Sequence, residues 1–329
     1  MSVISAGSGD RAALRLAVLD DWESAASDFV DWRTAIPGAD VTLFTDHLSG
    51  IDELVERLAP FDAVMLMRER TPIQAPLIKA LPKLRLIVTT GMRNRSLDIA
   101  AAAEAGVVVC GTRGLQWAAP ELAWSLILAL ARNIPAADAS MHAGRWAPTV
   151  GMDLHGSVLG VVGLGRLGEQ VATVGRAFGM KLVAWSPHLT AERAAACGAE
   201  QVGKHELFAT ADVVSVHMIL ADSTRGLIGA AEIGAMKTTA LFVNTSRGPL
   251  VDTDALLSAL IEGRIAGAGL DVYDEEPLSV DHRLRSAPRT ILTPHLGYVT
   301  AGTFASFYSE ATEDVRAFLA GRPVRVINP

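Results

Sequence analysis

The stretch Val158-Leu159-Gly160-Val161-Val162-Gly163-Leu164-Gly165-Arg166-Leu167-Gly168 decides the fold of this chain. A short apolar run of strand character leads directly into glycines at GxGxxG spacing, and helical periodicity follows. Gly163 permits a tight turn, Gly165 lets the backbone approach a pyrophosphate, and Gly168 lets the helix sit against the strand. The helix then begins at Arg166 and Leu167 with its N–H groups facing an anion. The predicted ligand is a dinucleotide. About 20 residues further on, an acidic side chain at the end of the next strand would accept hydrogen bonds from the adenosine ribose of NAD. That position is Ser186. Serine neither grips a ribose diol like a carboxylate nor repels a 2′-phosphate, and His188 and Arg193 lie nearby, so NAD and NADP both remain open as cofactors.

Working outward, short apolar runs alternate with helical segments on both sides of this loop, the pattern of parallel strands joined by crossover helices. Before it, strands are predicted at 15–19, 63–67, 84–89 and 107–110, with helices starting near Asp52, Ala75 and Asp98. Pro120 and Glu121 are expected to open an apolar helix that runs to about Arg132, with Pro135 closing it. A polar stretch with Gly144, Pro148 and Gly151 follows. From Ser157 onward strands are predicted at 158–162, 181–185, 213–217, 240–244, 267–272 and 290–292, and six strands make a doubly wound sheet. A last helix over about 300–319 would pack back on the first half. The fold class is α/β, with two doubly wound parallel-sheet domains.

The chain has 329 residues, 50% of them hydrophobic, more than one domain usually holds, so two are expected. A net charge of −7 with interspersed signs provides no basic footprint for nucleic acid. Cys110 and Cys197 form no CxxC pair, and no HxxxH or HxH pattern occurs, so neither a disulfide framework nor a metal site is indicated. A reducing cytoplasm fits this cysteine usage. No secretory signal opens the chain, and the longest apolar stretch, 123–131, is far short of the ~20 residues of a membrane span. The first ten residues, rich in Ser and Gly, are expected to form a mobile tail.

Three late segments read as strand ends carrying polar residues: Asn244-Thr245-Ser246-Arg247-Gly248, Asp271-Val272-Tyr273-Asp274-Glu275-Glu276-Pro277 and Thr293-Pro294-His295-Leu296-Gly297. Ligands of open α/β sheets bind at such ends. Reduction of a 2-keto acid needs a cation to hold the carboxylate and polarise the ketone, and an acid to protonate the oxygen as hydride arrives. Arg247 and His295 are the candidates. A carboxylate beside the imidazole would orient it and favour its protonated form, and Glu276 is placed to supply one.

With these motifs in order, the sequence resembles the D-isomer-specific 2-hydroxyacid dehydrogenase family, which includes phosphoglycerate dehydrogenases, glyoxylate and hydroxypyruvate reductases, and D-lactate dehydrogenases. The resemblance covers nearly the whole chain. It matches Arg247 to the arginine of the family's N-x-x-R-G segment, Glu276 to the glutamate before the proline of D-V-x-x-x-E-P, and His295 to the histidine of P-H-x-G. It further implies cofactor contacts from His217, Met218, Ile219, Thr224, Thr245, Asp271 and Gly297. A Rossmann dinucleotide-binding domain over 116–298 would be inserted in a flavodoxin-like substrate domain, 1–115 and 299–329. Substrate contacts are implied for two early loops, which here read Met67-Arg68-Glu69-Arg70 and Thr90-Gly91-Met92-Arg93-Asn94.

The chain departs from its relatives in several places. The family's second turn usually reads G-x-G, whereas Arg93 stands in place of the second glycine; with Arg68 and Arg70 it could favour a substrate bearing a second acidic group. Ser186 replaces the commoner aspartate, and Pro120 stands where relatives often carry a small or β-branched residue. The segment around Trp117, Trp124 and Trp146 resembles the arm through which family members pair, which implies a homodimer. Some relatives are nucleotide-sensing corepressors, and others act on formate or phosphite; Glu276 argues against the formate form, in which that position is glutamine.

Overall fold

The computed structural model describes residues 13–146 and 149–328; the predicted N-terminal tail and Pro148 lie outside them. The chain divides into two compact units. One runs to Leu115 and resumes at Ala301, and the other spans Gln116–Thr300.

In the first unit, β1 (Arg15–Val18), β2 (Asp40–Leu43), β3 (Ala63–Leu66), β4 (Leu86–Thr89) and β5 (Val108–Gly111) form a parallel sheet of order β2-β1-β3-β4-β5. Strands β3 and β4, apolar but for Thr89, are buried along their whole length, as expected for strands covered on both faces. The order reverses between β1 and β3, the switch point of this open sheet. The second unit holds β6 (Val158–Val162), β7 (Lys181–Trp185), β8 (Glu200–Gln201), β9 (Val213–Val216), β10 (Leu241–Asn244), β11 (Gly267–Leu270) and β12 (Thr290–Leu292), ordered β12-β11-β10-β9-β6-β7-β8 and all parallel. Its switch point lies between β6 and β9. Apolar clusters cover both faces, one around Phe208, Phe242 and Leu257, the other around Trp124, Leu159 and Val171.

Five local expectations need correction. Strand β2 escapes a hydrophobicity reading because it is an edge strand with no fully buried residue. The second sheet has seven strands rather than six among the described residues, since the two exposed polar residues of β8 still pair with Val183 and Ala184. The apolar helix starts at Ala118, before Pro120, because the first turn leaves its N–H groups unbonded and tolerates proline at any of its positions. Pro135 opens a further helix, Ile134–His142, instead of merely closing the previous one; Asn133, with φ 52°, makes the break. Trp124, grouped by sequence with the pairing arm, is buried, stacks on Phe178 at 5.1 Å between ring centres and donates its indole N–H to the Val171 carbonyl at 3.1 Å.

The helix Ala301–Leu319 belongs to the first unit and packs on β4 and β5. Beyond it the chain returns to β5: Gly111 N–H donates to the Arg325 carbonyl (3.0 Å), Ile327 N–H donates to Val109 (2.9 Å), and the Asn328 amide bridges the backbone of Val107 and Val109 (2.8 Å each). Arg325 pairs with Glu313 at 2.7 Å and with the fully buried Asp314 at 3.0 Å. Burial pushes the Asp314 carboxyl up to about 7, against the pull of Arg325. An acid with a raised pKa binds its proton more tightly folded than unfolded, so this contribution to stability is complete below the ordinary value of 3.8 and is lost as pH rises to about 7. The stability of the native protein minus that of Asp314→Asn should therefore fall between pH 4 and pH 8, by up to about 4 kcal/mol. Urea melts of both proteins across this range measure it; a pH-independent difference would contradict the assignment.

Candidate active site

The glycine loop follows β6 at the switch point. Gly163 has φ 97° and donates its N–H to the Trp185 carbonyl at 2.8 Å, and a Cβ there would lie 2.7 Å from the His217 carbonyl oxygen. At Gly168 a Cβ would stand 2.1 Å from the Gly163 carbonyl, so only glycine lets the helix Arg166–Ala177 seat this deeply. Gly165 faces open space, and no side chain caps the helix after it. The open backbone and free first-turn N–H groups, those of Arg166, Leu167 and Gly168, suit a pyrophosphate. A dinucleotide therefore fits the residues present.

Ser186 directly follows β7 and is half-buried, with Pro187 and His188 exposed beside it and Arg193 exposed on the next helix, Ala191–Ala196. His217 follows β9; its Nε2 lies 2.8 Å from the Ser215 hydroxyl, and burial pushes the imidazole down to about 4, so it is neutral at physiological pH. Met218 packs by Gly163, Ile219 is exposed, and Thr224 closes the loop by donating its hydroxyl to the Ile219 carbonyl at 2.7 Å.

The three polar strand ends converge through backbone and carboxylate contacts. After β10, the buried Asn244 donates to the Arg247 carbonyl (2.9 Å) and accepts from Ser246 N–H (2.9 Å), while Ser246 donates its hydroxyl to the Val216 carbonyl at 2.7 Å. These bonds fix the turn that presents half-buried Arg247 and buried Thr245. Gly248 is held against the neighbouring strand end so closely that a Cβ would sit 2.0 Å from the Tyr273 carbonyl carbon. Past β11, Tyr273 N–H donates to Glu276 Oε1 at 2.8 Å, and Glu276 Oε2 lies 2.6 Å from His295 Nδ1. Both carboxylate oxygens are thus engaged, and Nε2 is the ring nitrogen left for proton exchange.

His295 is in the left-handed region, with φ 54°, an uncommon place for a residue with a side chain. Asp271 imposes that conformation. Its carbonyl accepts from His295 N–H (2.9 Å), and its fully buried carboxylate accepts from the Thr293 hydroxyl (2.6 Å), Leu296 N–H (2.7 Å) and Gly297 N–H (2.9 Å). Burial raises the Asp271 pKa, opposed by these donors. The Tyr273 hydroxyl, which sequence reasoning left unassigned, donates toward the carbonyls of Leu270 (3.1 Å) and Thr293 (3.0 Å) and so ties the two loops together. Only its place within the D-V-x-x-x-E-P segment could have marked it beforehand.

The candidate substrate residues lie in the first unit, at the ends of β3 and β4. Arg68, with φ 53°, donates Nη1 to the Thr90 carbonyl at 2.8 Å and lies across Gly91, where a Cβ would fall 1.6 Å from that nitrogen. Met92 and Arg93 are exposed. Arg70 is nearly buried and paired with Glu23 at 2.6 Å, an acid that sequence reasoning did not consider. Among the described residues no cluster of three His, Cys, Asp or Glu side chains could hold a metal ion, and no helix is long and apolar enough to cross a membrane.

Comparison with known proteins gives this geometry its context. Residues 124–297 match the D-isomer specific 2-hydroxyacid dehydrogenase, NAD binding domain. A glyoxylate reductase of Aeropyrum pernix is 38% identical over 267 residues, 78% of this chain and 80% of that protein. A D-3-phosphoglycerate dehydrogenase of Synechocystis sp. is 37% identical over 83% of this chain, which spans 50% of that relative's length. Among solved structures, a phosphoglycerate oxidoreductase from Vibrio cholerae superposes with a TM-score of 0.89 at 38% identity, covering 94% of this chain and 99% of that one. The apo D-lactate dehydrogenase of Escherichia coli superposes with a TM-score of 0.81 at 25% identity, over 94% and 98%. With two parallel-sheet units, a dinucleotide loop and this likeness across most of its length, the chain belongs to the D-isomer specific 2-hydroxyacid dehydrogenase family of NAD-dependent oxidoreductases.

Proposed function

We propose that the protein transfers a hydride between NAD(P)(H) and C2 of a small 2-hydroxy or 2-keto acid, with His295 as acid and base. The observation that carries this reading is the 2.6 Å pair of His295 Nδ1 and Glu276, anchored by Tyr273 N–H at strand ends shared with Arg247. Bound nicotinamide supplies or accepts the hydride. Arg247 binds the substrate carboxylate and draws electron density from the C2 oxygen, its planar fork matching two oxygens at once. In reduction, protonated His295 gives its Nε2 proton to that oxygen; in oxidation the neutral ring takes the hydroxyl proton. Glu276 holds the ring orientation through Nδ1. Asp271 positions the loop that carries His295. The test is oxidation of NADH and NADPH, followed by absorbance, with glyoxylate, hydroxypyruvate, pyruvate, phenylpyruvate, 4-methyl-2-oxopentanoate and oxaloacetate. Silence across this panel with nucleotide bound would count against the reading.

Gly163, Gly165 and the helix start would hold the pyrophosphate, and Ser186 would admit either adenosine ribose. With no carboxylate at the β7 end, NADPH is accepted beside NADH. Ser186→Asp should then lower kcat/KM for NADPH relative to NADH by about tenfold or more, because the new carboxylate repels a 2′-phosphate and binds a 2′-hydroxyl. An unchanged ratio would mean that nucleotide choice is made elsewhere. The protein works as a homodimer in the cytoplasm, a reading supported by the exposed apolar side chains of Trp117, Ile134, Met141 and Trp146 and by the two free cysteines.

A further inference from the structure

Tyr273 reaches both partners of the Glu276–His295 pair. Its backbone N–H donates to Glu276 Oε1 at 2.8 Å, while its phenol oxygen lies 3.1 Å from the Leu270 carbonyl and 3.0 Å from the Thr293 carbonyl. Thr293 stands two residues before His295, and its own hydroxyl donates to Asp271 Oδ1 at 2.6 Å. One residue past β11 therefore grips the carboxylate directly and the imidazole through the loop that follows β12. All of these contacts lie within the second unit.

The phenol is surplus to folding. The Tyr273 ring is buried in the apolar cluster that contains Leu250, Leu270 and Leu284, and phenylalanine would fill the same space without taking a hydroxyl out of water. Neither carbonyl depends on it for a donor. That of Leu270 also accepts Thr293 N–H at 2.9 Å, and that of Thr293 also accepts His295 N–H at 3.0 Å. What the hydroxyl adds is a link between the two loops. Burial pushes its pKa up, and the charges of Asp271 and Glu276 push it further, so the phenol stays a neutral donor at physiological pH.

On the reading that His295 exchanges the substrate proton, we propose that Tyr273 is a positioning residue, its phenol holding the Thr293–His295 loop where Nδ1 stays on Glu276. The 2.6 Å separation of Nδ1 and Oε2 leaves little room for one loop to slide past the other. With Nδ1–H given to Glu276, the neutral ring keeps its proton there and leaves Nε2 bare to receive another. Loosening the link admits the opposite tautomer, whose Nε2 already carries a proton and cannot act as base.

The experiment compares the native protein with Tyr273→Phe in two independent ways. With NADH and glyoxylate, hydroxypyruvate or phenylpyruvate, kcat should fall about tenfold while KM stays within about twofold and the melting temperature within a few degrees. Separately, long-range proton–nitrogen NMR correlations from the ring carbon protons, identified by their loss in His295→Ala, report the tautomer of the neutral ring without any turnover. The ratio of Nδ1–H to Nε2–H tautomer should drop at least about threefold in Tyr273→Phe. A native tautomer ratio and native kcat in the variant would overturn the inference by leaving the phenol idle. Loss of kcat with an unchanged ratio, or a variant that no longer folds, would overturn it by making the phenol a core bond. A shifted ratio in a protein that reduces no 2-keto acid would uphold the loop link and remove only the hydride-transfer reading beneath it.

Discussion

Replacing His295 by alanine is expected to lower kcat by about 10²- to 10⁴-fold while leaving NADH affinity within a few-fold of native. Two features make the effect large. The ring is held by Glu276 through Nδ1, so one nitrogen alone exchanges the proton, and its backbone sits in a strained conformation that Asp271 enforces. The adjacent Tyr298 ring meets His295 edge-on, and a phenol is a far weaker acid at neutral pH than an imidazolium. Nucleotide affinity should survive because the glycine loop is built on β6, with its own hydrogen bond to β7. Stopped-flow turnover with a fluorescence titration of NADH separates the two quantities. Native-like kcat in the variant would remove His295 from the chemistry.

Gly248→Ala should be nearly as damaging, although it adds one methyl group far smaller than any functional side chain. Its Cβ would fall 2.0 Å from the Tyr273 carbonyl carbon and 2.5 Å from Asp274 N, both backbone atoms that cannot turn aside. The loops carrying Arg247 and Glu276 must separate. A shift of about 1 Å at such groups costs on the order of 10²-fold in rate, and overpacking at this contact costs about 1–3 kcal/mol or more in stability. Gly234→Ala is the control: this exposed glycine lies in the helix Ala230–Ala235 with nothing within 4 Å of its Cβ, so alanine should be neutral or slightly stabilising. Melting temperatures and kcat/KM for the two variants decide the matter; equal behaviour would mean that the loops yield without consequence.

Much of this fold was readable because buried parallel strands are continuous apolar runs. The segments at 63–67 and 158–162 have no other physical use, and β3 and β6 stand there. Strands β2 and β8 were not readable for the opposite reason: at a sheet edge the backbone ladder suffices, and Asp40, Glu200 and Gln201 carry no hydrophobic signature. Pro135 misled because proline both ends one helix and starts the next. At the site, residue types at fixed spacing brought Arg247, Glu276 and His295 to adjoining strand ends. What spacing could not reveal is who holds them. Asp271, Tyr273 and Ser246 act through backbone groups far away in sequence, and Glu23 meets Arg70 only after β1 and β3 become neighbours.

The return of residues 325–328 to β5 has a consequence for the order of events during synthesis. The second unit is contiguous and can fold as soon as residues 116–300 have emerged, whereas the first unit, whose strands precede it, lacks its covering helix and its outermost strand contact until residues 301–328 are made. Until then the edge of β5 and the apolar face of β4 stand open, a template on which another nascent chain could pair. The strands of the first unit, made before the second unit, are thus protected only after it, and chaperone dependence should concentrate on them.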